Sequence, residues 1–240
     1  MKGFWLALLT CLPLAVPAAG NDISKVNGSV RVSAGESAGD VETVNGSVTI
    51  EDGVTAENVE TVNGSISIGR NSVVQAIETV NGGVSLASGA RASRVETVNG
   101  PLRLAESARV SGDVTAVNAQ ASLEKGADVA GKLSNVNGKM TLSGAHVGSG
   151  LHTVNGDINV GPGSRVEGGI LVEKPSFNFF RSSRRKPRII IGPDAVVEGT
   201  LKFEHEVDLY VSDRAKIGTV QGAQAHTFTG SEPELKVEKE

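Results

Sequence analysis

Four glutamates at a constant spacing are the first residues in this sequence that could do chemistry. They are Glu42, Glu60, Glu78 and Glu96, which follow one another at i and i+18. If the chain stacks at that period, their carboxylates lie about 5 Å apart and repel one another unless they splay or share a cation. One hypothesis is a cation ladder, for which oxygen ligands favour Ca²⁺. The other, which we favour, is a row of exposed side chains in water, so no metal site is predicted.

Segment 174–188 combines aromatic and basic residues. It carries six basic residues and no acidic one, whereas the rest of the chain after residue 20 carries 16 basic and 27 acidic residues, a net charge of about −11. This composition suits an anionic membrane surface or a cell-wall glycan. The alternative is that the phenylalanines pack back onto the fold and leave a solvated basic edge. The candidate surface-binding residues are Phe177, Phe179, Phe180, Arg181, Arg184, Arg185, Lys186 and Arg188.

Other patterns argue against catalysis. The four histidines fall at different positions of the repeat, which indicates surface residues rather than a zinc site. The outward positions carry serine, threonine and single charges, whereas a polysaccharide-degrading β-helix needs an acid and a base on one face. We therefore predict a non-enzymatic protein with no catalytic residue and no cofactor. Nucleic acid is a poor partner for an acidic, exported chain.

The element that positions these residues is a repeat. An asparagine that follows valine recurs at sequence spacings of 18, 18, 18, 18, 19, 19 and 18: Asn27, Asn45, Asn63, Asn81, Asn99, Asn118, Asn137 and Asn155. Short apolar alternation broken by glycine and asparagine predicts strands with one buried face, and the period suits one turn of a parallel β-helix. We expect stacked asparagines to form an amide ladder and to adopt a left-handed backbone. Beside them, Thr43, Thr61, Thr79, Thr97 and Thr153 form a second column.

The predicted fold is therefore all-β, a single-stranded parallel β-helix (β-solenoid) of about ten coils at this repeat length between Val26 and Val220. Eight aromatics in 240 residues fit a thin core of small branched side chains. The predicted organisation is a signal peptide at 1–20, regular coils at 21–173, a loop insertion at 174–188, terminal coils at 189–222 and a flexible charged tail at 223–240.

The signal peptide rests on Lys2, an apolar stretch from Phe4 to Val16, and a small-residue cleavage region at residues 18–20. Cleavage there removes Cys11, the one cysteine of the chain. The sequence thus predicts export to the periplasm, the cell envelope or the extracellular space. Whether the segment is cleaved or kept as an anchor stays open.

Three stretches resemble the coils of bactofilins: residues 126–133, 136–142 and 192–201. Bactofilins are polymer-forming bacterial scaffold proteins, each a right-handed β-helix with flexible tails. The resemblance implies a right-handed solenoid that self-associates into a homo-oligomer or polymer. The spacing alone leaves the handedness open, since the apolar positions also suit a left-handed hexapeptide helix. Residues 26–100 are equally similar to the repeats of secreted adhesin-type β-solenoids. The function expected is an exported structural scaffold of the cell envelope; the alternative is an adhesin-like module that binds anionic lipid or glycan through segment 174–188.

Overall fold

A computed structural model describes residues 20–175 and 186–234. Every regular element in these two ranges is a β-strand, and the strands pair in parallel in two sheets of 17 and 11 strands. The sheets wind as a β-solenoid, which confirms the predicted fold class with eleven coils rather than ten. No helix that could cross a membrane occurs in the described ranges. Residues 1–19, which carry the predicted signal peptide, lie outside them.

The 11-stranded sheet contributes one strand to each coil, and we number the coils by these strands. The strands are β2 (Val30–Val32), β4 (Val48–Ile50), β6 (Ile66–Ile68), β8 (Val84–Leu86), β10 (Leu102–Leu104), β13 (Ala121–Leu123), β16 (Met140–Leu142), β19 (Ile158–Val160), β22 (Arg188–Ile191), β25 (Asp208–Ser212) and β28 (Ala225–Phe228). Most are short, with the first and third side chains buried, because successive side chains point to opposite faces. Their branched side chains join one continuous core from Val30 to Val211.

The first five coils each add one long strand. These strands are β1 (Asn21–Asn27), β3 (Ala38–Asn45), β5 (Thr55–Asn63), β7 (Val73–Asn81) and β9 (Arg91–Asn99). In later coils two short strands replace the long one: β11 (Arg109–Val110) with β12 (Val114–Asn118), β14 (Asp128–Val129) with β15 (Leu133–Asn135), β17 (His146–Val147) with β18 (Leu151–Thr153), β20 (Arg165–Val166) with β21 (Ile170–Val172), β23 (Val196–Val197) with β24 (Leu201–Phe203), and β26 (Lys216–Ile217) with β27 (Val220–Gln221).

One inserted residue explains the split. Val110 pairs with Ala92, at i−18, whereas Val114 pairs with Val95, at i−19. The extra residue falls in Ser111–Asp113 and turns the chain, so a two-stranded coil becomes a three-stranded one. In the sequence, this insertion appears as the spacing of 19 rather than 18 between Asn99 and Asn118.

The left-handed backbone lies at a different corner from the one expected. Among the described residues, positive φ angles recur in a column that includes Asn71 (56°), Ser107 (60°) and Asp194 (59°) with glycines such as Gly53 and Gly89, and the ladder asparagines are not among them. Glycine after the ladder asparagine allows close approach of the backbones, and two of these glycines, Gly28 and Gly100, also have positive φ angles (107° and 139°). A Cβ on Gly64 would lie 2.0 Å from the carbonyl oxygen of Gly46 on the preceding coil.

The C-terminal boundary at residue 222 was placed too early. Strand β28 pairs with β25 and forms the eleventh coil, and residues 231–233 border a cleft of about 390 Å³ beside Lys139 and Arg188. Ala225 and Thr227 pair with the buried Leu209 and Val211 but are themselves exposed, and the apolar alternation that marks other strands is too weak here to see in the sequence. Residues 235–240 lie outside the described ranges.

Candidate functional site

The eight asparagines form one continuous ladder of side-chain amides. Each Nδ2 donates to the Oδ1 of the asparagine one coil earlier at 2.9–3.0 Å, from Asn45 on Asn27 to Asn155 on Asn137. Thr153 pairs with Val172 in the next coil, so the next ladder position is Lys174. The ladder therefore ends at Asn155, and the next position, Lys174, is the first residue of segment 174–188.

The threonine column ties the corner to the strand. Thr43, Thr61 and Thr79 are about 4% exposed, and their hydroxyls donate to a glycine carbonyl of the preceding coil at 2.9–3.1 Å. Asn135 takes this position in the seventh coil and donates to the Ala119 carbonyl at 2.6 Å, while its own Oδ1 is buried without a partner. The polar side chains buried in this column are thus stabilised by hydrogen bonds to backbone carbonyl oxygens at the corner of the preceding coil.

The predicted glutamate column borders a groove. Glutamate and valine flank each inward threonine in the strand, so both point outward and stack coil on coil. The resulting groove of about 430 Å³ runs along the first five to six coils with glutamates on one wall and valines on the other. All the large hydrophobic side chains that are exposed in the described ranges belong to this one valine column: Val26, Val44, Val62, Val80, Val98 and Val136, 36–67% exposed. Sequence reasoning took the glutamates alone and missed the valines beside them, although the same period marks both.

Two cations lie near the glutamate column: Lys25 lines the groove at the first coil, where its Nζ donates to the Ser29 carbonyl oxygen, and Arg94 pairs with glutamates at the other end. Arg94 Nη2 lies 2.5 Å from Glu78 Oε1, and its Nε lies 3.5 Å from Glu96 Oε1. Burial, together with the neighbouring carboxylates of Glu78 and Glu42, raises the pKa of Glu60. The described residues contain no group of three or more ligands that could hold a metal ion, so the calcium-ladder hypothesis has no support in the geometry.

His146 has carboxylate neighbours that the sequence did not reveal. Its Nδ1 lies 2.6 Å from Asp128 Oδ1 and its Nε2 lies 3.3 Å from Glu167 Oε1. The hydrogen bond to Asp128, reinforced by Glu167, raises the pKa of His146 although partial burial opposes it. Asp128 belongs to the preceding coil and Glu167 to the following one, and the coil register brings all three together. A second pair joins His152 Nε2 to Glu173 Oε1 at 3.0 Å.

Most of the predicted surface-binding segment lies outside the described residues. This holds for Phe177, Phe179, Phe180, Arg181, Arg184 and Arg185. Lys186 is exposed, with its Nζ 3.0 Å from Glu206 Oε2. Arg188 is half-buried and belongs to strand β22 rather than to the loop; its backbone N–H donates to Asp157 Oδ1 at 2.9 Å. The insertion boundary at 188 therefore shifts to 187.

Residues 35–39 match the Gly-x-Ser-x-Gly pattern of hydrolase nucleophiles. In that enzyme class the serine stands on a strand-to-helix turn. Here Ser37 is exposed and leads directly into strand β3, so the local geometry is not that of a nucleophile elbow.

Comparison of the chain with protein-family models, with curated proteins and with solved structures gives no significant match. The fold and its surface features therefore carry the functional argument.

Proposed function

We propose that this chain is a non-enzymatic, exported structural protein: a self-associating, bactofilin-like scaffold of the bacterial cell envelope, in the periplasm or at the cell surface. Export rests on the pattern of residues 1–20, and the scaffold role rests on the architecture. The proposal needs no cofactor.

The observation that carries the proposal is that the core columns end without a seal at the C-terminal end of the described solenoid, whereas Val30 and Val32 of the first coil are about 2% exposed. The apolar side chains that pack against the core but stay partly exposed lie in the first coil or in the last two: Ile23, Val207, Ala215, Ile217, Val220 and Ala223. Strands β1 and β2 pair only with β3 and β4, and β27 and β28 pair only with β24 and β25. Unpaired edges of this kind template the addition of another chain.

Size-exclusion chromatography with light scattering, together with negative-stain microscopy, tests the proposal. Concentration-dependent oligomers or filaments are expected. Ile217→Lys should shorten them because Ile217 belongs to the exposed end of the core, whereas Thr141→Lys, which points outward in mid-solenoid, serves as the control. A monomer at every concentration would rule out the scaffold.

A second candidate function is an adhesin-like binding module for anionic lipid or glycan. It is favoured by the segregation of six basic residues into 174–188 within an otherwise acidic chain. Deletion of residues 176–185 should then abolish binding to anionic vesicles or cell-wall glycan and leave assembly intact. The reverse result would exclude this module.

A further inference from the structure

The groove between the glutamate and valine columns has the properties of a docking surface. We call it the Glu/Val groove and define it by Glu42, Glu60, Glu78 and Glu96 with Val44, Val62, Val80 and Val98. Contiguous exposed apolar side chains that are rimmed by charge mark interaction sites on soluble proteins. The exposed valines of the described chain are confined to this column, so the groove is its principal apolar surface.

The charge of the groove selects a cationic occupant. Arg94 pairs with Glu78 and Glu96, and Lys25 at the first-coil end donates to the Ser29 carbonyl oxygen. Within the described ranges Glu42 and Glu60 form no ion pair. Asp40, on the same strand as Glu42, adds a further carboxylate close enough to disfavour ionisation of Glu60. A partner that supplies cations and apolar side chains together would relieve this repulsion and cover the valines.

Segment 174–188 of this chain has that chemistry. It offers three phenylalanines, which bury large apolar areas, and arginines, which bind carboxylates through two parallel hydrogen bonds. Its six basic residues complement a surface of the opposite charge in a chain that is otherwise acidic.

Chain length makes a second copy the source of any such segment at the Glu42 and Glu60 end of the groove, because a loop of the same copy reaches no farther than the fifth coil, where Glu96 lies. The described ends of the segment stay near the tenth coil, where the Lys174 N–H lies 3.4 Å from Glu204 Oε2 and Lys186 lies beside Glu206. The stretch between Pro175 and Lys186 has a contour length of roughly 35–40 Å, so a loop anchored at both ends reaches out about 20 Å, or about four coils. The strand before the segment belongs to the ninth coil and Glu60 belongs to the third. The distance between these two coils along the solenoid axis is roughly 29 Å.

We propose that the Glu/Val groove binds segment 174–188 of a second copy of this chain. The inference rests on the proposed self-association and identifies two surfaces through which copies of the chain would contact each other. Groove and segment are different surfaces, so the contact is heterologous and can propagate from copy to copy. It would join solenoids side by side, in addition to any contact between their ends.

A charge-swap experiment on the full chain tests this pairing. The groove variant is Glu42→Arg/Glu60→Arg, the segment variant is Arg184→Glu/Arg185→Glu, and the combined variant carries all four changes. The matched control, Glu57→Arg/Glu106→Arg, makes the same charge change outside the groove. A fluorescent peptide of sequence 174–188 reports binding by anisotropy, and light scattering reports assembly.

The groove variant should bind the peptide about tenfold more weakly or worse, and the control should bind it like the unmodified chain. The groove and segment variants should each lose assembly, and the combined variant should regain it. Unchanged assembly in both single-surface variants would overturn the inference while leaving end-to-end association standing. A full chain that stays monomeric would overturn the contact between copies together with the scaffold, even if the isolated peptide bound the groove. Binding of the segment to anionic phospholipid vesicles, with no effect of the groove variant on peptide affinity, would assign the segment to a membrane and overturn the pairing.

Discussion

Replacing Asn81 by alanine should cost about twice the free energy of unfolding that the same change costs at Asn155. Asn81 stands inside the amide ladder: it donates to Asn63 and accepts from Asn99, both at 3.0 Å. Asn155 donates to Asn137 at 2.9 Å and stands at the end of the ladder. Alanine therefore removes two amide hydrogen bonds at the interior position and one at the end.

The magnitude follows from the exposure of the ladder. A net hydrogen bond is worth about 0.5–1.5 kcal/mol, and the lower part of that range applies here because both asparagines are exposed and water can solvate the groups left unpaired. We expect a loss of roughly 1–2 kcal/mol for Asn81→Ala and roughly 0.5–1 kcal/mol for Asn155→Ala. The local sequence is Val-Asn-Gly at both positions, so effects of alanine on the backbone cancel in the comparison.

Urea denaturation followed by circular dichroism gives the two free energies. Hydrogen exchange of the glycine amides in coils three and four adds a local readout, because repeat proteins can unfold in parts. A double-mutant cycle sharpens the test: Asn63→Ala and Asn81→Ala share one hydrogen bond, so the double variant should lose less than the sum of the single losses. Equal costs at Asn81 and Asn155, or strict additivity in the cycle, would refute the assignment of these free energies to the ladder hydrogen bonds.

Three further predictions concern packing, backbone conformation and pH. Gly64→Ala should lower the free energy of unfolding by about 2–4 kcal/mol because its Cβ would lie 2.0 Å from the Gly46 carbonyl oxygen. The control Ser67→Ala, at an exposed strand position, should change it by less than about 0.5 kcal/mol, and equal effects in urea titrations would contradict this. Ser107→Gly should raise the melting temperature, with a gain of up to about 1 kcal/mol, because a φ of 60° is costly for serine and free for glycine; a lower melting temperature would contradict it. The raised pKa of His146 means that its stabilisation is complete below its ordinary pKa of about 6.5 and is lost as pH rises through the higher folded value. The stability difference between the unmodified chain and His146→Gln should therefore shrink as pH rises above about 6.5 and through the higher folded pKa in denaturation experiments, and a constant difference would refute the assignment.

The repeat made most of the architecture predictable. Val-Asn-Gly recurs regularly, and branched residues alternate in the strands between the corners. This pattern indicates stacked parallel coils, because equivalent residues then lie above one another in successive coils. The glutamate, threonine and asparagine columns follow directly from that period. The weak alternation of Ala225 and Thr227 hid the eleventh coil, since the pattern fades where these positions become small or polar.

The sequence by itself determined the solenoid, its columns and the segregation of positive charge into segment 174–188. Only the tertiary structure decided which columns lie side by side and together form a surface. It separated the left-handed corner at Asn71 and Ser107 from the asparagine ladder, and it enclosed His146 between Asp128 and Glu167. It also set the outward valines against the glutamates as the two walls of one groove. The physical reason is that a period fixes which residues are equivalent, whereas the bend of each coil fixes which columns face one another and how much water reaches them.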